Sequence, residues 1–172
     1  LAVARAVAEL YGAGTDTGEL ARAVGRADRS AIGTYAFTGG GLVVEGGRRP
    51  GTEDIAPLLT RLSFPPSWWC VVGVPNAARG MSGAAEEVAF DELPAPPERE
   101  VERVAHLVLM GLLPALADAD LVEFGSALSA IQSITGRWFA PVQGGTFAPG
   151  PTEELVRSMS EWGALGVGQS SW

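Results

Sequence analysis

The chain contains no lysine: all 12 of its basic residues are arginine. That bias fits a GC-rich coding sequence better than a binding role. Set against 20 acidic residues, the arginines leave a formal net charge of −8. Such a balance argues against a nucleic-acid or polybasic-membrane partner, because phosphate surfaces are held by clustered cations. A small anionic ligand is not excluded, since a few well-placed guanidinium groups suffice for it. Cysteine occurs once, so no internal disulfide can form. Cys70 sits in the apolar segment SWWCVVGVP, where a buried structural thiol is expected. Histidine also occurs once; His106 falls mid-helix between Val104 and Leu107. With no second imidazole or thiol at ligand spacing it is read as structural or surface, and no Ser/His/Asp set can be built around it. No apolar run approaches the roughly 20 residues of a membrane-spanning helix. The opening apolar segment is broken by Arg5 and is no signal core, so the cytoplasm is the default compartment.

What is present is a chain of 172 residues, 47% of them apolar, long enough to bury a core in one or two domains. Residues 1–11 set Leu1, Ala4, Val7, Ala8 and Tyr11 on one face of a short amphipathic helix. Thr17 suits the N-cap of a second helix through Val24, with Gly25 as its stop. Residues 35–46 read as two short strands around Gly39-Gly40-Gly41, and the polar stretch 47–57 reads as a boundary. A third strand is expected over 68–74, ending at Pro75, then a helix over 82–90 capped by Ser82. Further helices are expected from 98 to about 116 and from 121 to about 136, the latter with Phe124, Leu128, Ile131 and Ile134 at core spacing. Met110, Leu112 and Leu113 are assigned to the core. A last helix over 152–162 begins at a Thr152 cap followed by Glu153 and Glu154, and a final strand covers 164–168. Strands and helices intermingle without a regular βαβ repeat, which makes the expected fold class α+β. No internal repeat or low-complexity tract is present.

Three glycine-dense stretches carry the chemistry: RSAIGTYAFTGGGLVVEGG (29–47), PVQGG (141–145) and GVGQSSW (166–172). Glycines this dense beside regular elements mark backbone at positive φ or in close approach to another group. Arg22, Arg26 and Arg29 would share a face if helix geometry persisted between them, and such a cluster could hold a phosphorylated sugar. For Arg22 a solvated helix face is the simpler account. Gln143-Gly144-Gly145 is either an ordinary turn or a site where a side-chain amide and backbone N–H groups meet a carboxylate or phosphate. Gly166, Gly168, Gln169, Ser170 and Ser171 form a donor-rich transition from strand to loop. Nothing resembles a complete phosphate-binding P-loop.

Together the three stretches resemble the β-ribofuranosylaminobenzene 5′-phosphate synthase family of the GHMP kinase superfamily, which makes the first committed intermediate of methanopterin-type cofactors. Gly80-Met81-Ser82-Gly83 followed by Glu86-Glu87 also matches it, although a helix cap explains that segment adequately. The resemblance implies the end of a GHMP-type N-terminal domain over 1–62 and a truncated ferredoxin-like C-terminal domain over 63–172. It implies, too, that the family's phosphate loop precedes Leu1 and that more chain follows Trp172. The 172 residues would then be an internal fragment, inactive alone.

Arg29 matches the family motif, and the resemblance makes Arg29, Ser30, Gln143, Gly144, Gly145, Gly168, Gln169, Ser170 and Ser171 the candidate substrate-binding residues. True kinases of the superfamily carry a catalytic aspartate where Gly33 stands here, and a one-residue slip would bring only Thr34. Without a proton acceptor the kinase mechanism loses its base. The resemblance implies instead a decarboxylating phosphoribosyl transfer. Phosphoribosyl pyrophosphate would be joined to 4-aminobenzoate or 4-hydroxybenzoate with Mg²⁺ as cofactor, in tetrahydromethanopterin biosynthesis. Gln143 or Gln169 would orient the aromatic acid. The catalytic residues and Mg²⁺ ligands are not identifiable from the sequence, no nucleic-acid or membrane partner is implied, and a homodimer is allowed. An ATP-dependent small-molecule kinase and a non-catalytic interaction module are the alternatives.

Overall fold

The computed structural model describes residues 1–27, 30–49, 51–52, 54–76 and 93–170. Its mixture of helices with a small antiparallel sheet is α+β. The chain divides into two compact units, Leu1–Pro66 and Ser67–Trp172.

In the first unit, α1 (Ala2–Leu10) is tied by an Arg5–Glu9 ion pair of 2.6 Å at i,i+4 spacing. It ends where Gly12 takes a φ of 63°, which lets the Ala13 N–H reach Ala8 O at 2.8 Å and close the last turn. Only Ala8 of the expected apolar face is buried; Val7 and Tyr11 are exposed. The second helix, α2 (Thr17–Ala23), is capped by Asp16, whose carboxylate accepts from the Glu19 N–H at 2.8 Å. The cap thus lies one residue before the expected Thr17, because the acceptor must reach three residues ahead. Gly25, at φ 63°, stops the helix as expected, and the Arg26 N–H bonds Ala21 O at 2.8 Å.

Residues 35–39, expected as a strand, belong to a helix, α3 (Ile32–Gly39). The buried positions Ala31 and Thr34 are three apart, the spacing of a helical face. Gly40 and Gly41, at φ 58° and 76°, then turn the chain directly into β1 (Leu42–Glu45). Gly39 is required for a different reason. A Cβ there would collide with the Arg61 guanidinium, which donates to Tyr35 O at 2.6 Å at the carbonyl end of α3. A cation suits that negative helix end. β1 pairs antiparallel with β2 (Leu58–Leu62), Val43 opposite Arg61 and Val44 opposite Thr60. The stretch 47–57 is therefore not a boundary but the connection between two paired strands. The Tyr35 hydroxyl bonds to Ala56 O at 2.7 Å, which pins that connection to α3. The buried side chains of this unit are all small: Ala8, Ala21, Ala31, Ala56 and Thr34.

In the second unit α4 (Glu98–Leu107) runs into a π-helical turn, Val108–Leu112, and then into α5 (Leu113–Ala117). Pro114 supplies the cause: lacking an N–H and crowding the preceding turn, it cannot continue a regular ladder, and the Leu113 N–H reaches Val108 O instead. Leu112 is buried as expected, but Met110 is 69% exposed, rotated outward by the wider turn. The long helix α6 (Leu121–Gln143) is capped by Asp120, which accepts from the Val122 and Glu123 N–H groups at 3.1 Å each. It runs seven residues beyond the expected end near 136, because Gly136 is a buried packing position within it and not a stop. α7 (Pro151–Glu161) begins at Gly150, φ 85°, with proline first in the helix, so Thr152 is not its cap.

The buried side chains of this unit are Leu107, Leu112, Ala115, Leu116, Phe124, Ala127, Ile134 and Val156. Neither expected strand of this unit forms. Along 68–74 only Trp68 turns inward, its ring 5.0 Å from Phe124, while Trp69 and Val74 are 91% and 85% exposed. Cys70, expected to be buried, is exposed with them. The helix expected over 82–90 lies outside the described residues.

Candidate functional site

Two groupings of the expected residues appear, one in each unit. In the first unit, a cavity of about 330 Å³ is lined by Leu1, Ala2, Arg26, Ala27, Ser30, Gly33, Thr34 and Phe37. Backbone geometry sets its edge. Arg26 stands between two residues in the left-handed region, Gly25 at φ 63° and Ala27 at φ 67°, and its N–H is locked to the end of α2. Non-glycine residues at positive φ are uncommon, so Ala27 marks a constrained bend. Arg22 and Arg26 consequently do not continue one helical face, because α2 ends at Ala23. Arg22 does not line the cavity, whereas Arg26 does. Arg29 lies outside the described residues.

Ser30 sits just before α3 and its hydroxyl accepts from the Ile32 N–H at 3.3 Å. The Glu45 carboxylate accepts from the Ala31 N–H at 2.6 Å, so β1 fastens the start of the helix. Gly33 lies in the first turn, and a side chain added there meets nothing within 4 Å. Among the described residues no carboxylate lines the cavity.

In the second unit, Gln143 and Gln169, singled out separately in the sequence, meet. The Gln169 Nε2 donates to Gln143 Oε1 at 3.3 Å. Gln143 Nε2 donates to Gly145 O at 2.6 Å and Thr146 O at 3.0 Å, while Gln169 Oε1 accepts from the Ala148 N–H at 2.8 Å. A third glutamine, missed in the sequence, completes the set: Gln132 Oε1 accepts from the Gln169 N–H at 3.0 Å. Backbone groups fix the orientation of each amide, because a carbonyl can only accept and an N–H can only donate. Gly168 leaves room for the Gln132 side chain, which a Cβ there would displace.

The same geometry explains the missing final strand. N–H groups of 167 and 169 are taken by Ser129, at 3.3 Å, and by Gln132, both on α6, and not by a neighbouring strand. Gly125 and Gly166 permit this close approach of backbone to helix. Gly144 is the left-handed C-cap of α6 at φ 92°, and its N–H is engaged with Ala140 O. Gln143-Gly144-Gly145 is thus the carbonyl-rich end of a helix, a poor setting for an anion. Ser170 is exposed beside this network, and Ser171 lies outside the described residues.

A further fastening joins α4 to α6. The Glu100 carboxylate accepts from Arg137 at 2.8 Å and from the Trp138 indole at 2.5 Å. The Arg137 guanidinium, then the Trp138 N–H, hold its carboxyl below the usual carboxylate range. Among the described residues no three His, Cys, Asp or Glu side chains cluster as a metal site. No described helix is long and apolar enough to cross a membrane.

The α+β architecture and the three motifs point to the synthase family that the sequence resembles, and among the described residues no acid lines the cavity at the start of α3. Comparison with known proteins agrees. The chain is 34% identical over 183 residues, and over its whole length, to the β-ribofuranosylphenol 5′-phosphate synthase of Methanothermobacter thermautotrophicus. It is 39% identical over 145 residues, 78% of the chain, to the protein of that name in Archaeoglobus fulgidus. It is 29% identical over 147 residues, 77% of the chain, to that of Methanocaldococcus jannaschii. The chain is a relative of these synthases, as its three motifs implied. It spans about half the length of these curated relatives: 54%, 46% and 44% respectively. No family model matches the chain.

Proposed function

We propose that the protein to which these residues belong is a decarboxylating phosphoribosyltransferase that joins phosphoribosyl pyrophosphate to 4-hydroxybenzoate. The observation that carries this is the 34% identity along the entire chain to a synthase whose product name is a ribofuranosylphenol phosphate. The phenol in that name favours hydroxybenzoate over aminobenzoate. In the reaction, the bond from the anomeric carbon to pyrophosphate breaks, its electron pair leaving with pyrophosphate. The ring carbon bearing the carboxylate forms the new C–C bond, and loss of CO₂ returns an electron pair to the ring. No base is required to remove a proton from an alcohol, which agrees with a cavity bearing no described carboxylate. The protein's share is to neutralise the leaving group and to hold the arene against one face of the sugar.

Arg29 is proposed to meet the phosphoribosyl donor, and Ser30 to bind substrate at the cavity it lines. Gln143 and Gln169 were expected to orient the aromatic acid by direct contact. They are proposed instead to hold the 144–148 and 168–170 loops in register, a role supported by their hydrogen bonds to Gly145, Thr146 and Ala148. Mg²⁺ belongs to the proposal through the resemblance; held mainly by substrate phosphates, it needs only one or two protein carboxylates. A GHMP-type first domain and a ferredoxin-like second domain are likewise proposed from the resemblance, with a cytoplasmic, tetrahydromethanopterin-pathway role and no turnover by the 172 residues alone.

The test is release of labelled CO₂ from carboxyl-labelled 4-hydroxybenzoate by the full-length protein. Release should require phosphoribosyl pyrophosphate and a divalent ion, and ATP should not replace them. ATP consumption with an alcohol acceptor and no CO₂ release would assign the protein to the kinases.

A further inference from the structure

The cavity at the start of α3 holds two polar groups that the fold leaves unused. Thr34 is buried, at 6% exposure, and lines the cavity, yet its hydroxyl finds no partner among the described residues. Among the described residues the one buried side-chain polar atom without a partner is Arg61 Nε, so the Thr34 hydroxyl is not sealed off but accessible at the cavity, where it can meet water or a ligand. The Arg26 guanidinium at the rim likewise makes no hydrogen bond or ion pair among the described residues. Phe37, 45% exposed, brings an aromatic face to the same wall, and Leu1, Ala2 and Ala27 complete an apolar lining.

The Arg26 guanidinium, the Thr34 hydroxyl and the Phe37 ring are the complement of a planar ring carrying one negative and one polar substituent. A volume of about 330 Å³ lies at the small end of the range for organic ligands, enough for a single substituted ring. A pyrophosphate-bearing pentose would ask for several cations, and the described lining supplies one.

We infer that this cavity is the subsite of the aromatic acid: Arg26 takes its carboxylate, Phe37 packs on its ring, and Thr34 hydrogen-bonds its para hydroxyl. The inference rests on the aromatic-acid transferase reading and moves the acid away from the glutamine network. Arg26 and Thr34 would then be specificity determinants, one reading the charge and the other the substituent.

The experiment is calorimetric titration of the full-length protein with 4-hydroxybenzoate, benzoate and phosphoribosyl pyrophosphate, wild type against variants. Arg26→Gln should weaken both aromatic acids about tenfold, the size of a lost charge-assisted hydrogen bond, and leave phosphoribosyl pyrophosphate unchanged. Thr34→Val should weaken 4-hydroxybenzoate about threefold or more and leave benzoate unchanged. Thr34→Ser, which keeps the hydroxyl, should restore discrimination between the two acids.

Unchanged affinities for both acids in Arg26→Gln would overturn the inference, as would loss confined to phosphoribosyl pyrophosphate or a wild type that binds neither acid. If wild type releases CO₂ while the variants keep full affinity, the subsite fails and the transferase stands. If the variants behave as expected but wild type releases no CO₂, the subsite stands and the transferase fails.

Discussion

The two glycine-rich regions of this chain use glycine to opposite ends. In the stretch 39–41, glycine lets the Arg61 guanidinium pass Gly39 and turns the chain at Gly40 and Gly41 into β1. Upstream of it, Arg26 and Thr34 line an open cavity. Around Gly125, Gly144, Gly166 and Gly168, glycine brings loop backbone against α6 so closely that side-chain amides satisfy it directly. Where polar groups satisfy one another they fix geometry; where they are left over, they are free to meet a ligand. That contrast predicts that variants in the second region act on stability, and variants in the first act on binding.

The largest effect should come from Gly125→Ala. Alanine favours a helix, but its Cβ would strike the Leu165 carbonyl, which is backbone and cannot rotate aside. Overpacking of this kind costs about 1–3 kcal/mol, so the denaturation midpoint should fall. An unchanged or raised midpoint would show that the 165–170 segment is not held against α6.

Next is Gln143→Glu. The change is nearly isosteric, yet a carboxylate presents two acceptors to the Gly145 and Thr146 carbonyls and loses both donated bonds. A loss of about 1–3 kcal/mol at neutral pH is expected, partly regained in acid as the new carboxyl protonates. In the full-length enzyme, stability should change more than the affinity for either substrate. A selective loss of aromatic-acid binding in a fully stable variant would return Gln143 to direct contact.

Much of this contrast was legible in the sequence, and the misses share a cause. Helix ends that depend on one residue, such as Gly25, were read correctly, since positive φ is a property of the residue itself. The motifs that placed Gln143 and Gln169 in one site were informative although their neighbours were misassigned: the pair meets as polar groups on loops that α6 supports. Residues 35–39 were misread because Tyr35, Phe37 and Thr38 look strand-like locally, and only the packing of Ala31 and Thr34 makes the segment helical. The 164–168 segment failed as a strand because its N–H groups are taken from a helix 37 or 38 positions away in sequence. Gln132 carried one usable signal, a polar amide set among the apolar positions Leu128, Ile131 and Ile134 of a core-facing helix.

In the first region, Gly33→Asp separates stability from binding. The position lies in the first turn of α3, a Cβ meets nothing within 4 Å, and no acid occupies that turn. A carboxylate there should stabilise the helix by about 0.3–1 kcal/mol. Because Gly33 lines the cavity, the same charge should weaken aromatic-acid binding in the full-length protein. Raised stability with reduced affinity is the expected pair of readings. Unaltered affinity would mean that no anion enters this cavity.

The smallest effect, and the one that tests fastening without any ligand, concerns Glu100 in the second region. Arg137, and then Trp138, hold its carboxyl below the usual carboxylate range in the folded state. A group whose folded pKa is depressed contributes its stability fully above the ordinary carboxylate range and loses it as pH falls through the depressed value. Stability should therefore decline over the acid limb, and Glu100→Gln should flatten that part of the profile while changing neutral-pH stability little, because the pair is partly solvated. Two-point comparison of denaturation midpoints, at neutral pH and in the acid range, measures this. An identical acid decline in Glu100→Gln would mean that the carboxylate is a bystander in holding α4 to α6.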